Sequence, residues 1–240
     1  MTHDSQAYIG SELDTFKHAR NWKRYWGDRL RPYVSGRVLE VGAGIGVNTE
    51  FLIGPSVHAV VRLEPDRSLV ARMVAPALPT AAPTQIEIDN RSGTVASLDP
   101  AERFDTILYL DVLEHIEDDR GELQRAAAHL SPGGHLVVLA PAFQFLYSPF
   151  DRAIGHHRRY TASTLSALAP ARVVQVAREY MDGPGALLSM GNRALLRHAS
   201  PTIAQIRFWD SSVVPIATVT DRLTKRWFGR SVLCVWRSQP

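Results

Sequence analysis

Cysteine is nearly missing from this 240-residue chain, which has Cys234 alone. No internal disulfide can form, a reducing compartment is expected, and a metal site built from cysteines is excluded. Cys234 itself stands in the apolar run Val232 to Trp236, which reads as a core strand. Long hydrophobic runs are missing too. The most apolar stretch, Leu136 to Tyr147, is interrupted by Pro141 and Gln144 and falls short of the ~20 residues that cross a bilayer. The polar opening MTHDSQAY does not read as a secretory leader, and none is expected. A soluble, cytoplasmic protein with no integral membrane segment is expected, with contact at a membrane surface left open. Neither sign of charge dominates: 27 Lys and Arg face 24 Asp and Glu, for a net +3. The basic residues form no long block, so no nucleic-acid partner is expected. No internal repeat or low-complexity segment occurs.

What is present is ordinary for a globular protein, with 45% hydrophobic and 21% charged residues. The length suits one α/β domain. Residues 11–30 carry Leu13, Phe16, Ala19, Trp22, Trp26 and Leu30 at helical spacing, up to the break at Arg31-Pro32. Strands are expected at 37–41, 58–63, 84–88, 104–110, 135–140, 172–177 and 231–236, and helices at 47–53, 66–74, 120–130, 161–168 and 185–198. Residues 75–83, rich in Pro and Ala, read as a loop, and so do residues 141–160. The first five strands alternate with helices or loops, which argues for a doubly wound α/β fold with a parallel sheet covered on both faces. We expect a single domain: an N-terminal lid helix over 1–36, a cofactor-binding half over 37–140, and a substrate-side half over 141–240 with a helical insertion at about 183–227.

The run L-E-V-G-A-G-I-G, from Leu39 to Gly46, closes the first strand and opens a helix. Glycines there let the backbone pass close to a ligand. A nicotinamide fingerprint wants G-x-G-x-x-G, but its third position is Val47 and Gly46 comes one residue early. Glu40, two residues before Gly42, would repel a pyrophosphate and attract positive charge. S-adenosylmethionine carries an ammonium and a sulfonium and no phosphate. Its ribose needs an acid, and Glu64, at the end of the second strand, is placed for that.

These residues resemble the first glycine motif and its partner acid in class I S-adenosylmethionine-dependent methyltransferases. F-D-T-I-L-Y-L-D-V-L-E-H-I-E-D-D resembles their fourth strand and following loop, and L-S-P-G-G-H-L-V-V-L the turn into their fifth strand. G-H-x-R-R-Y, from Gly155 to Tyr160, resembles a bacterial subgroup of small methyltransferases. The pattern N-W-x-x-Y (Asn21, Trp22, Tyr25) and the run Phe228 to Val232 are similar there too. The resemblance implies a mostly parallel seven-stranded, Rossmann-like sheet with an N-terminal helix and a C-terminal helical insertion. It implies S-adenosylmethionine as cofactor, with Glu40, Gly42, Ala43, Gly44 and Gly46 at the methionine part and Glu64 at the ribose. The adenine falls to Thr94 and Val95, although the family's acid is absent at Thr94. Asp111 and His115 come beside the methyl group, and Tyr25 is counted with the cofactor's neighbours. The plain structural readings are that Glu40 caps a helix, that Glu114, Glu117, Asp118 and Asp119 form a solvated helix start, and that Trp22 and Trp26 are core.

The segment after the fifth strand lies at the ligand edge of such a sheet. It mixes Phe143, Phe145, Tyr147, Phe150 and Tyr160 with Arg152, His156, His157, Arg158 and Arg159. A histidine there suits removal of an acceptor's proton near neutral pH. His156, His157 and His115 are therefore the candidate catalytic residues. Arg158, Arg159, Arg152, Tyr147 and Tyr160 are the candidate acceptor contacts, because arginines grip carboxylate or phosphate. Alternatively, Arg158 and Arg159 pair with Asp151 or a helix end and fasten the loop. Neighbours on an extended segment point oppositely, so one histidine and one arginine should matter most, with His157 and Arg159 the pair expected.

No N-P-P-Y follows the fourth strand and no Pro-Cys pair occurs, which argues against adenine-N6, glutamine and cytosine-C5 methylation. No metal is expected, since the run Glu114 to Asp119 lacks the spacing of a known site. The resulting expectation is methyl transfer to an oxygen of a small-molecule or carrier-linked acceptor, anionic or sugar-like. Carbon methylation of an isoprenoid diphosphate-like substrate and a cofactor-binding regulatory protein without turnover remain open. So does the choice between monomer and homodimer.

Overall fold

The computed structural model describes residues 12–78, 86–195 and 201–239. The chain opens with α1 (Glu12–Phe16) and α2 (Arg20–Leu30), followed by β1 (Gly36–Val41), α3 (Thr49–Leu52), β2 (Val57–Glu64) and α4 (Arg67–Val70). β3 (Glu87–Ser92), β4 (Phe104–Leu110), α5 (Asp119–Ala128) and β5 (Leu130–Pro141) complete the first half. Then come α6 (Pro149–Ala153), α7 (Ala162–Ser166), β6 (Val173–Met181), α8 (Gly183–Leu195), α9 (Ile203–Phe208), α10 (Val214–Leu223) and β7 (Ser231–Ser238).

The strands form one sheet in the order β3-β2-β1-β4-β5-β7-β6. The first five pair in parallel, and β7 runs antiparallel to both β5 and β6. Consecutive strand residues face opposite sides, and here both sides are buried. Val38, Val60, Leu108, Val137 and Val235 join a core on one face. Leu39, Val61, Tyr109, Val138 and Cys234 join a second core on the other. That double burial is why the strands read as continuous apolar runs.

Several expected boundaries move. The helix over 11–30 is two helices with a turn at 17–19, and residue 11 lies outside the described residues. The strand placed at 84–88 is β3 at Glu87–Ser92, where Glu87 pairs with Ala59 and Ser92 with Glu64. It is an edge strand of largely polar sequence, so its alternation misled. Thr84 and Gln85 lie outside the described residues, as do residues 79–83 of the Pro/Ala loop and 196–198 of the expected helix. The helices expected at 47–53 and 66–74 shrink to single turns. Residues 141–160 are not a plain loop, since they contain a 3₁₀ turn at Gln144–Leu146 and α6. The strand expected at 172–177 runs on to Met181.

The helices α8, α9 and α10 form the insertion between β6 and β7 and hold α2. Helix α2 has no side-chain cap of its own. Asp210 supplies it from 188 residues away in sequence, accepting from Trp22 N–H at 2.8 Å and from Asn21 N–H at 3.1 Å. Tyr25 donates to Asp221 at 2.8 Å, and Asp221 also accepts from the backbone of Asp182 and Gly183. Trp22 packs on Trp209, ring centres 5.7 Å apart. The N-W-x-x-Y pattern is therefore a clamp between the chain's two ends. Asp210→Ala should destabilise the protein by about 1–2 kcal/mol, the loss of a helix cap. An unchanged urea midpoint would show that α2 is held without it. Helix α10 turns Val214, Ala217 and Asp221 inward and leaves Ile216, Val219 and Leu223 exposed on its opposite face.

Candidate active site

At the end of β1, Gly42, Gly44 and Gly46 all take positive φ, between 56° and 74°. Side chains rarely adopt this region, which glycine enters freely. Gly42 and Ala43 donate to Leu63 O, stitching the turn to β2. A Cβ on Gly42 would meet Val112 at 2.6 Å, so the turn and the segment after β4 touch here. Glu40 is 1% exposed. Its Oε2 accepts from the Thr49 hydroxyl at 2.7 Å, and its Oε1 has no partner among the described residues. Burial pushes its carboxyl up to about 7, against the pull of Thr49 and Arg62. Glu64 closes β2 and accepts from Gly44 N–H at 2.9 Å and Asp66 N–H at 3.0 Å. Burial raises its carboxyl as well, opposed by those two backbone bonds.

Sequence reasoning missed Arg62. It is buried within β2, donating to Asn90 and to Val74 O at 2.7 Å each, and a Cβ on Gly46 would collide with its guanidinium. It props the glycine turn from below. An apolar strand of the form V-V-R-L carried the only signal, a cation where none belongs. After β3, Thr94 is exposed and tied to Ser97, while Val95 is a core residue on the second face of the sheet. A cavity of about 400 Å³ lined by Ser92, Ser97 and Leu98 lies beside this turn, across β1 from the segment after β4.

β4 is followed by Asp111, a non-glycine residue at φ 55°. Asp tolerates this conformation better than most. Its side chain is open to the cleft yet ringed by protein. Burial raises its carboxyl, and Arg230, His156, Lys23 and Arg159 pull it back. Lys23 of α2 is itself buried, donates to Phe16 O at 2.8 Å, and is pushed down to about 8 by that burial. Arg230, within the Phe228 to Val232 run, pairs with Asp182 at 3.3 Å and lies 4.0 Å over the Trp209 ring. Neither Lys23 nor Arg230 was singled out in the sequence, because only the packed insertion brings them to the cleft.

The segment after β5 folds back on the segment after β4. Glu114 is fully buried, and neither carboxylate oxygen meets a hydrogen-bond donor among the described residues. His156 turns its ring inward, 8% exposed, with Nδ1 3.0 Å from Asp151 and Nε2 3.7 Å from Glu114 Oε1. The rings of His115 and His156 meet edge to face at 4.5 Å. Burial, with His156 and His157 adding to it, pushes the His115 imidazole down to about 3. It is then neutral at physiological pH and a weak base.

His157 has its side chain exposed, and its N–H donates to Glu114 O at 2.8 Å. Alternation thus turns His156, rather than His157, into the site. Asp151 accepts from Arg159 Nε and Nη2, and Arg158 lies 2.7 Å from Asp119. Both arginines fasten the loop. Tyr160 is core, donating to Asp119 and Leu113 O, and Tyr147 donates to His156 O at 2.7 Å. Arg152 is exposed on α6. Tyr25 sits in the clamp, its hydroxyl taken by Asp221.

Residues 16–172 match the family model described as a methyltransferase domain. The ubiquinone biosynthesis O-methyltransferase of Bradyrhizobium diazoefficiens is 38% identical over 102 residues, 42% of this chain. That of Rhodopseudomonas palustris strain BisB18 is 36% identical over a stretch of the same length. The match spans 38% of the length of each relative. Among solved structures, the N-methyltransferase NodS of Bradyrhizobium japonicum WM9 with S-adenosyl-L-homocysteine aligns at TM-score 0.55 and 17% identity, covering 92% of this chain and 88% of that one. A putative methyltransferase in complex with the Haloferax volcanii Trm112 activator aligns at 0.60 and 15%, covering 100% of both chains. At these identities the structures establish the fold. No described helix is long and apolar enough to cross a membrane. The residues present fit the family's cofactor: the partnerless Glu40 oxygen suits a bound cation, and the glycine turn leaves room where a Cβ would not. With the seven-stranded sheet, the glycine turn and the family match in agreement, the chain belongs to the methyltransferase-domain family of class I S-adenosylmethionine-dependent methyltransferases.

Proposed function

We propose that the protein transfers a methyl group from S-adenosylmethionine to an oxygen of a small-molecule or carrier-linked acceptor. The observation that carries this reading is the meeting of two loops beside the glycine turn, where Glu114, His115 and His156 each offer one donor atom within 4.8 Å of the others. Methylating a hydroxyl requires removing its proton, and a carboxyl beside imidazoles is suited to that. The name O-methyltransferase carried by the relatives supports the same choice.

In this reading Glu40 and the glycine turn hold the methionine end and Glu64 the ribose. When bound, S-adenosylmethionine supplies an electrophilic methyl group on a positively charged sulfur. The chain's own part is positioning, together with activation of the acceptor's hydroxyl at the Glu114–His156 pair. General-base assistance is worth ~10²–10⁴-fold. An anionic part of the acceptor falls to exposed Arg152, because Arg158 and Arg159 are held by Asp119 and Asp151. Carbon methylation of a diphosphate loses support for the same reason.

S-adenosylmethionine at 100 times its Kd should stabilise the native state by about 2.7 kcal/mol, roughly 5–10 °C in Tm for a chain of this size. NAD should not. Methyl-tritiated S-adenosylmethionine with catechol and a simple hydroxybenzoate as probe acceptors should give labelled ethers. Stabilisation by NAD alone would overturn the cofactor assignment, and label found only on carbon or nitrogen would overturn oxygen as the acceptor atom.

A further inference from the structure

We propose that Glu114, His115 and His156 form a binding site for one divalent transition-metal cation. The isolation of the Glu114 carboxyl is the first argument. Its side chain is fully buried, and neither oxygen receives a hydrogen bond among the described residues. A buried carboxylate left this way is costly, and such groups are normally paired or bound to a metal. Second, the geometry is convergent. One carboxylate oxygen and one nitrogen from each histidine lie within 4.8 Å of one another, so a cation among them reaches all three. Third, His156 is held as ligating histidines usually are. Asp151 takes Nδ1 at 3.0 Å, which leaves Nε2 toward Glu114. A carboxylate on the far nitrogen fixes the tautomer and orients the ring. Asp151 is fixed in turn by the Ser148 N–H and by Arg159.

Two imidazoles and one carboxylate select a first-row cation such as Zn²⁺, Fe²⁺ or Mn²⁺ over Ca²⁺, which takes oxygen ligands. Three protein ligands also leave positions for an outside oxygen. The cation's role rests on the oxygen-methylation reading: it would take the acceptor's hydroxyl as a further ligand and lower its pKa, so that the proton leaves to water and the oxygen then takes the methyl group as its bond to the cofactor's sulfur breaks. Glu114 and His156 then act as ligands rather than as a base. This reverses the expectation from sequence that no metal is needed. The acid-rich run alone lacks the spacing, and His156 enters only through the fold.

Chelator-stripped protein titrated with CoCl₂ tests the site by calorimetry and visible absorption. The expected result is one equivalent bound, with visible bands of a nitrogen- and oxygen-ligated ion and a higher Tm. Glu114→Gln and His156→Ala should each weaken binding at least 100-fold, while surface His58→Ala should not. S-adenosylmethionine affinity, read on each variant, checks that it folds. No binding to the wild type overturns the site. Binding retained in both Glu114→Gln and His156→Ala overturns it as well, as an adventitious ion only. Wild-type binding lost in those variants, with no acceptor methylated under any condition, upholds the site and overturns the transfer reading instead.

Discussion

Asp151→Ala is expected to destabilise the protein by about 3–5 kcal/mol, the usual result of stripping one partner from a buried ion pair. For a chain of this size that is roughly 10 °C or more in Tm. Asp151 is 1% exposed. Its carboxylate holds both Arg159 nitrogens, His156 Nδ1, and the N–H and hydroxyl of Ser148 at the start of α6. Removing it leaves a guanidinium with 12% side-chain exposure and an imidazole with 8% without their anion. Asp151→Asn should lose less, because the amide oxygen still accepts from Ser148. S-adenosylmethionine affinity should stay near the wild-type value in both variants, since Glu40 and Glu64 belong to the β1–β2 side. Acceptor turnover should fall with the loss of His156 orientation. A Tm within 2 °C of wild type in Asp151→Ala would mean that the Asp119 contacts to Arg158 and Tyr160 hold the loop by themselves.

Glu40 should give the protein a distinctive pH dependence. Its ordinary value is 4.5, and burial pushes it up to about 7 in the folded chain. The unfolded chain therefore releases this proton first as pH rises. Stability is highest below about 4.5, falls between 4.5 and 7, and is level above 7 as far as this group is concerned. At 1.36 kcal/mol per pKa unit the full loss is about 3 kcal/mol. Glu40→Gln removes the titration while keeping an acceptor for the Thr49 hydroxyl. Denaturant melts at pH 5 and pH 8 should show the variant gaining about 2–3 kcal/mol on the wild type between the two, other groups titrating alike in both proteins. On the proposed placing of the methionine end beside Glu40, the same variant should bind S-adenosylmethionine more weakly, for want of a negative charge there. Such a trade between stability and binding is common at functional sites. Parallel pH–stability curves for the two proteins would show that Glu40 does not hold its proton in the folded state.

The sequence by itself determined the doubly wound sheet, the positive-φ turn at Gly42, Gly44 and Gly46, and the acids at Glu40 and Glu64. These features are local. Strand, turn and next strand follow within a few tens of residues, and each residue type is dictated by backbone conformation or by burial on a fixed face. Tertiary structure decided which way the side chains of the segment after β5 turn. Pattern alone gave His157 and Arg159 as the pair to matter, but the capping box of α6 draws Asp151 inward, and Asp151 then takes both His156 and Arg159. It also decided that Asp210 and Asp221, near the C-terminus, hold Trp22 and Tyr25 near the N-terminus. The meeting of Glu114 with His156, and of Lys23 and Arg230 with Asp111, belongs to the same class. Periodicity and spacing report only near neighbours along the chain. Contacts across it exist only once two buried cores have fixed where the loops between strands lie.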